Sequence, residues 1–174
     1  MRYVTDHPDL VLRAAQPADA ETLLELIRGL AIYEHLEHEV EATPEQLRAT
    51  LFGERRYAEA VIAEWQGQPA GFSLYFHTYS TFLGRPGIYI EDIFVLPTLR
   101  GHGIGSALLR FVAAVAVERQ CGRLEWAVLD WNEPALAFYR ANGAMPLEEW
   151  TTQRVTGQAL LDLAARSHAR PDAP

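Results

Sequence analysis

The fold of this chain follows from residues 89–106, Tyr89-Ile-Glu-Asp-Ile-Phe-Val-Leu-Pro-Thr-Leu-Arg-Gly-His-Gly-Ile-Gly-Ser106. β-Branched and aromatic residues from Tyr89 to Val95 predict a strand. A glycine-rich segment follows, and apolar residues at helical spacing then predict a long helix that stops at Cys121-Gly122. These apolar residues are Ile104, Leu108, Phe111, Val112 and Val115. Strand, glycine-rich loop and helix therefore follow one another directly.

The glycine-rich loop predicts a phosphate-binding site. The first turn of a helix leaves backbone N–H groups without partners, and the macrodipole makes that end electropositive. Glycines at 101, 103 and 105 let a ligand approach the backbone closely. The sequence contains no lysine, so it cannot form a P-loop, and its G-x-G-x-G spacing differs from the dinucleotide fingerprint G-x-G-x-x-G.

Four segments carry a resemblance to a known family. The pattern Arg100-x-x-Gly103-x-Gly105 resembles the acyl-CoA pyrophosphate loop of the GNAT acetyltransferases. Three more segments are similar to the diamine (spermidine/spermine) N-acetyltransferases and their thialysine-acetylating relatives. They are Ala31-Ile-Tyr-Glu34, Glu91-Asp-Ile-Phe-Val95, and Trp131-Asn-Glu-Pro-Ala-Leu-Ala-Phe-Tyr139 with Gly143-Ala144. The resemblance covers residues 10–163 and implies a GNAT fold of class α/β (α+β), with a mixed central sheet flanked by helices.

The hydrophobic pattern predicts the other elements of a β-α-α-β-β-β-α-β-α-β chain. The further predicted strands are Leu10–Ala14, Tyr57–Trp65, Ala70–Tyr79, Leu124–Leu129 and Trp150–Val155. The further predicted helices begin at Pro17, at Pro44 and after Asn132, and a last one covers Gln158–Ala165. Residues 1–8 are predicted to be a loose lead-in, and Gly84, Pro86 and Gly87 to form a loop. We expect a single domain over residues 1–166 and a disordered tail over residues 167–174.

Composition limits the partners of this protein. Its 15 basic and 23 acidic residues give a formal net charge of −8, which argues against nucleic acid or an anionic membrane as the main partner. A single cysteine, Cys121, excludes an internal disulfide and a cysteine-cluster metal site. His35 and His38 lack a third ligand at suitable spacing, so no metal is expected. The absence of a long apolar run and of a signal-peptide pattern predicts a cytoplasmic protein.

The resemblance implies catalytic roles for Glu91 and Tyr139. An alkylammonium must lose a proton before it can act as a nucleophile, and a positioned carboxylate can accept that proton. Glu91 is implied as this base, although it could instead be a sheet carboxylate paired with an arginine. Strand alternation would place Asp92 on the opposite face. Tyr139 is implied as the acid that protonates the departing thiolate, although it could instead be a buried aromatic beside Phe138.

The resemblance also implies binding residues. The backbone of Ile93, Phe94 and Val95 would pair with the pantetheine arm of acetyl-CoA. The remaining cofactor contacts would come from Arg100, Gly101, His102, Gly103, Ile104, Gly105, Ser106, Asn132, Pro134, Ala135 and Tyr139. The amine would contact Tyr33, Glu34 and Glu91. The acidic run of Glu37, Glu39 and Glu41 could attract a cation or form a solvated face.

Two departures bear on the far end of the substrate pocket. Ser80 follows Tyr79 where the polyamine enzymes have an acidic residue, and the loop before Glu91 is one residue longer. The sequence predicts an enzyme that transfers acetyl from acetyl-CoA to a small primary amine of the polyamine or diamine type, directly within a ternary complex. Thialysine or another amino-acid-like amine, and a non-catalytic acyl-CoA sensor, remain as alternatives. The resemblance further implies a homodimer.

Overall fold

The computed structural model describes residues 2–167. The chain divides into two compact units, residues 1–127 and 128–174. The expectation of one domain ending at residue 166 stays a prediction. Of the tail expected to be disordered, residues 168–174 lie outside the described residues.

The described residues form six strands and five α-helices. The strands are β1 (Arg2–Val4), β2 (Leu10–Ala14), β3 (Glu59–Trp65), β4 (Gln68–Ser80), β5 (Arg85–Val95) and β6 (Leu124–Trp126). The helices are α1 (Ala20–Glu34), α2 (Pro44–Phe52), α3 (Ile104–Glu118), α4 (Glu133–Ala141) and α5 (Gly157–Ala165). The predicted α/β class and the mixed sheet are confirmed.

All six strands belong to one sheet in the order β1-β2-β3-β4-β5-β6. Neighbouring strands from β1 to β5 are antiparallel to each other, and β6 runs parallel to β5. A parallel pair needs a crossover, and α3 supplies it. The sequence therefore places the loop before α3 at the carboxyl end of β5.

The core has two layers of helix against the sheet. Helices α1 and α2 bury a cluster that includes Leu23 and Leu26 against Ile62, Phe72 and Phe94 of the sheet. Alternate residues of a strand face opposite sides of a sheet. The buried strand residues that alternate with this cluster therefore point to the opposite face of the sheet, where α3 packs against β4 and β5. The apolar face of α3 is buried at Ile104, Leu108, Leu109, Val112, Val115 and Ala116, as its spacing predicts.

Helix α2 begins where its capping sequence predicts. The Gln46 N–H donates to the Thr43 hydroxyl at 3.3 Å, and the Thr43 N–H donates to Gln46 Oε1 at 2.8 Å. Pro44 stands in the first turn, where its missing N–H costs no hydrogen bond.

Two expectations for the first unit were wrong in detail. Residues 2–4 of the expected lead-in form β1, because an antiparallel partner is available in β2. Pro86 and Gly87 belong to β5 and pair with Tyr79 and Thr78. A Cβ at Gly87 would lie 2.7 Å from the Thr78 hydroxyl, so glycine permits this close pairing.

The strand expected at Trp150–Val155 is absent from the described residues, which show irregular chain there. A strand needs a partner for its backbone hydrogen bonds, and residues 128–167 contain no other strand. The expected helix over Gln158–Ala165 is confirmed as α5.

Candidate active site

A β-bulge interrupts β5 at Glu91. In the register with β4, Asp92 lies opposite Leu74 and Ile90 lies opposite Tyr75, so Glu91 is the extra residue. The buried Ser73 hydroxyl donates to the Asp92 carbonyl at 3.0 Å and anchors the bulge. Strict alternation therefore does not hold here, and the expectation that Asp92 faces away from Glu91 loses its basis.

The bulge also ends the pairing between β5 and β6. Only Ile88, Ile90 and the residue between them pair with β6. The strand predicted to reach Leu129 ends at Trp126, which pairs with Ile90 directly before the bulge. Within residues 2–127, the β6 side of Ile93, Phe94 and Val95 thus carries no strand partner, and an extended ligand could hydrogen-bond to that edge.

The glycine loop has the backbone that phosphate binding requires. Gly101 and Gly103 have φ angles of 83° and 78°, in the left-handed region that favours glycine. A Cβ at either position would meet no atom within 4 Å, so open space lies over both. Gly103 is the N-cap of α3 and supplies no side-chain cap. The first N–H groups of α3 are therefore available to an anion.

Two side chains of the loop are held by neighbouring elements. The Arg100 Nε–H donates to the Val95 carbonyl at 3.4 Å, and its guanidinium lies 4.1 Å from the centre of the Tyr33 ring. His102 Nδ1 lies 3.2 Å from the Leu99 and Arg100 carbonyls. The His102 ring packs edge-on against Trp65, with 4.9 Å between ring centres.

An acidic pocket lies between α1, the segment of residues 36–40 and β5. Its volume is about 150 Å³. Five apolar side chains line it, namely those of Ile27, Leu30, Ala31, Leu36 and Val40. Three carboxylates complete the lining: Glu34, Glu39 and Asp92. None of these eight residues is basic, so the pocket suits an alkyl chain with a positively charged group.

The pocket changes the acidity of its carboxylates. Burial first, and then the negative charges of Glu91 and Glu34, raise the pKa of Asp92 from 3.8 to about 7. Burial also raises the pKa of Glu34. A carboxyl group whose pKa lies near neutrality can accept and release a proton at working pH. Asp92 therefore has the chemistry of a proton acceptor.

The second unit presents α4 and its N-cap. The Asn132 side chain accepts a hydrogen bond from the Ala135 N–H at 3.3 Å, and Pro134 stands in the first turn. Tyr139 is buried, with 9% of its surface exposed, and its ring lies 5.2 Å from that of Phe138. The cap and the expected end of the helix at Asn142-Gly143 are confirmed.

A family comparison identifies this arrangement of strand, glycine loop and helix. Residues 21–144 match the model of the acetyltransferase (GNAT) family. The chain belongs to that family. It is therefore an acetyltransferase.

Two curated relatives and one solved structure resemble this acetyltransferase. The thialysine N-epsilon-acetyltransferase of Bos taurus is 41% identical over 168 residues, which are 90% of this chain and 98% of the relative. The spermidine/spermine N(1)-acetyltransferase-like protein 1 of Homo sapiens is 31% identical over 163 residues, which are 88% of this chain and 23% of that longer protein. An integron cassette protein of V. cholerae has a TM-score of 0.76 at 24% identity, covers 91% of this chain and 99% of its own, and shows the fold alone.

The structure brings several predicted site residues of the acetyltransferase together and adds Asp92 as a candidate. Glu34 lines the acidic pocket, and Tyr33 contacts Arg100 of the loop. Glu91 is exposed and makes no ion pair with an arginine among residues 5–167. Sequence reasoning missed Asp92 because it assumed regular alternation. The adjacent acidic pair was the only available signal.

Of the acidic run, Glu39 lines the pocket, whereas Glu37 and Glu41 do not. Glu39 also lies 3.2 Å from the exposed His38. No group of three or more His, Cys, Asp or Glu residues within 2–167 is arranged to hold a metal ion. Over the same residues, no helix combines the length and hydrophobicity needed to cross a bilayer.

Proposed function

We propose that this acetyltransferase moves an acetyl group from acetyl-CoA to a small primary amine of the diamine or polyamine type. The observation that carries the proposal is the acidic pocket beside the bulge of β5. Asp92, Glu34 and Glu39 supply negative charge, and apolar side chains of α1 supply a surface for methylene groups. An alkylammonium matches both features.

The features around α3 support acetyl-CoA as the acetyl donor. The left-handed glycines and the uncapped start of α3 suit a pyrophosphate, and Arg100 adds a positive charge. The edge of β5 at Ile93, Phe94 and Val95 suits the amide groups of a pantetheine arm, which can bind as an added strand. Asn132, Pro134 and Ala135 at the start of α4 are further candidate contacts.

Residues of the bulge serve as proton acceptors in this proposal. Glu91 accepts the proton of the substrate ammonium directly or through water, and Asp92 is a second candidate because its pKa is about 7. The neutral amine then attacks the thioester carbonyl, so that the N–C bond forms and the C–S bond breaks. Tyr139 donates its hydroxyl proton to the departing thiolate and recovers a proton from the acetylated nitrogen, directly or through water, so that a neutral amide and a free thiol are released. Transfer is direct, with both substrates bound and no acyl-enzyme.

The lining of the pocket favours a diamine over an amino acid. Lysine and thialysine carry an α-carboxylate, which three carboxylates would repel and which no basic residue of the pocket would neutralise. An amino-acid-like amine stays the second candidate, because the bovine relative with 41% identity is named for thialysine. A matched pair of amines separates the two. Lysine and 1,5-diaminopentane differ only in the carboxylate.

The deciding experiment measures thiol release from acetyl-CoA with a panel of amines. The panel contains spermidine, spermine, lysine, 1,5-diaminopentane, thialysine and an aminoglycoside. We expect a higher kcat/KM for 1,5-diaminopentane than for lysine. A higher kcat/KM for lysine would establish an amino-acid-like amine as the substrate. Acetyl-CoA binding without turnover of any amine would favour a non-catalytic sensor.

We also propose that the enzyme is a cytoplasmic homodimer, as the resemblance and composition predict. Light scattering at working concentration tests the dimer. A monomeric mass would contradict it.

A further inference from the structure

Tyr33 and Arg100 form a cation–π pair that joins α1 to the glycine loop. The guanidinium carbon of Arg100 lies 4.1 Å from the centre of the Tyr33 ring. This is well within the distance of about 6 Å at which such contacts attract. The same arginine donates from Nε to the Val95 carbonyl at 3.4 Å. The ring and the carbonyl hold the guanidinium from two elements that are distant in sequence.

The location of Tyr33 gives this contact a role. Ala31 and Glu34, on the same turn of α1, line the acidic pocket, whereas Tyr33 itself does not. Helix α1 ends at Glu34, and the left-handed His35 turns the chain away, with a φ of 61°. The last turn of α1 thus supplies Ala31 and Glu34 to the pocket and Tyr33 to the loop.

We infer that Tyr33 is a positioning residue for Arg100, and through it for phosphate recognition, rather than a contact of the amine. The inference rests on the proposed binding of acetyl-CoA to the glycine loop. An arginine on an exposed loop loses side-chain entropy when it binds phosphate. A guanidinium already stacked on an aromatic ring has lost part of that freedom beforehand, so less is lost on binding.

This inference differs from the role that the resemblance implies. There, Tyr33 and Glu34 contact the amine together. In the structure their roles separate, because the ring of Tyr33 lies against the guanidinium while Glu34 lines the acidic pocket. The two assignments predict different outcomes. A positioning residue changes the affinity for acetyl-CoA, and an amine contact changes the KM for the amine.

The test measures acetyl-CoA binding by isothermal titration calorimetry. Tyr33→Leu removes the ring, and Tyr33→Phe keeps it without the hydroxyl. We expect Tyr33→Leu to weaken binding about two- to fivefold, the range that exposed cation–π contacts support, and Tyr33→Phe to bind nearly as wild type does. In an Arg100→Gln background, Tyr33→Leu should have no further effect, because the ring acts through the arginine.

The chain offers a matched control. The Arg55 guanidinium lies 4.9 Å from the centre of the Tyr57 ring, outside the loop and the pocket. Tyr57→Leu removes the same kind of contact and should leave acetyl-CoA binding unchanged. Thermal unfolding without ligand shows whether each variant is folded. In the wild-type protein, the ring current of Tyr33 should shift the Arg100 side-chain proton resonances, a measurement that needs no variant.

Each outcome decides the inference. Equal acetyl-CoA affinity of wild type and folded Tyr33→Leu overturns the inference. So does an equal loss of affinity on Tyr33→Leu in the presence of Arg100 and in the Arg100→Gln background. The absence of a ring-current shift in the Arg100 side-chain resonances would also overturn it. A raised amine KM with unchanged acetyl-CoA affinity restores the amine contact. Failure of the wild-type protein to bind acetyl-CoA would instead overturn the proposed function on which the inference rests.

Discussion

Replacement of Asp92 by asparagine should stabilise the fold at neutral pH and weaken amine binding. The substitution keeps the shape of the side chain and removes its ionisation. Asp92 lines the acidic pocket, and burial together with the charges of Glu91 and Glu34 raises its pKa to about 7. The folded protein therefore holds an ionised Asp92 at a cost in stability, which the asparagine variant does not bear.

The sign and magnitude follow from proton linkage. The pKa of Asp92 in the folded state lies above its ordinary value of 3.8, so the folded chain binds the extra proton between about pH 4 and 7. Stability due to this group falls as pH rises through that window. Each pH unit corresponds to about 1.4 kcal/mol. Over the full window this would destabilise the folded wild-type protein by roughly 4 kcal/mol. Because Asp92 is only half-buried and solvent screens its charge, we expect a difference in unfolding free energy of about 2 kcal/mol.

Urea unfolding at pH 5, 6, 7 and 8 measures this difference. The advantage of Asp92→Asn over wild type should grow with pH up to about 7 and then level off. Asp6→Asn serves as a control, because Asp6 is exposed and lies outside the pocket. Titration with 1,5-diaminopentane at pH 7.5 should show binding that is weaker by about 10- to 100-fold in Asp92→Asn, as expected for loss of a charged hydrogen bond.

Two results would refute the reasoning. A stability difference that stays constant from pH 5 to 8 would mean that Asp92 ionises freely in the folded protein. Unchanged diamine affinity in Asp92→Asn would mean that the acidic pocket does not bind the cation. A stabilised variant with weak amine binding would identify the buried carboxylate as a functional site that reduces stability.

Three further predictions concern the loop and α4. Gly103 and Gly67 both have left-handed φ angles and no neighbouring atom that an added Cβ would meet. Replacing either by alanine should lower the free energy of unfolding in urea by about 1 kcal/mol, but only Gly103→Ala should weaken acetyl-CoA binding in calorimetry. Equal acetyl-CoA affinity of the two variants would contradict the assignment of the loop. Asn132→Ala and Thr43→Ala each remove a helix cap and should each lower the free energy of unfolding by about 1 kcal/mol. Only Asn132→Ala is expected to lose acetyl-CoA affinity. Tyr139→Phe should lose most turnover in the thiol-release assay and keep acetyl-CoA binding, and unchanged turnover would remove the acid role.

Local patterns predicted much of the fold correctly. The strand from Tyr89, the glycine loop and α3 stand where the sequence places them, because strand propensity, glycine backbone freedom and helical spacing act over a few neighbouring residues. The caps at Thr43 and Asn132 are equally local. The wrong predictions concern segments whose structure depends on pairing with a second strand. Residues 2–4 gained a strand partner, and residues 150–155 have none among residues 128–167.

The environments of Glu91 and Asp92 illustrate what only long-range structure decides. The sequence shows two adjacent carboxylates, but the bulge that abolishes their alternation arises from the register between β5 and β4. The raised pKa of Asp92 arises from burial and from charges that include Glu34 of α1. The contact of Arg100 with Tyr33 likewise joins segments distant in sequence. The sequence alone determined the succession of strand, glycine loop and helix, because each of these depends on neighbouring residues. The acidic pocket and the contact between Arg100 and Tyr33 required tertiary packing, because burial and electrostatic interaction depend on distance in space.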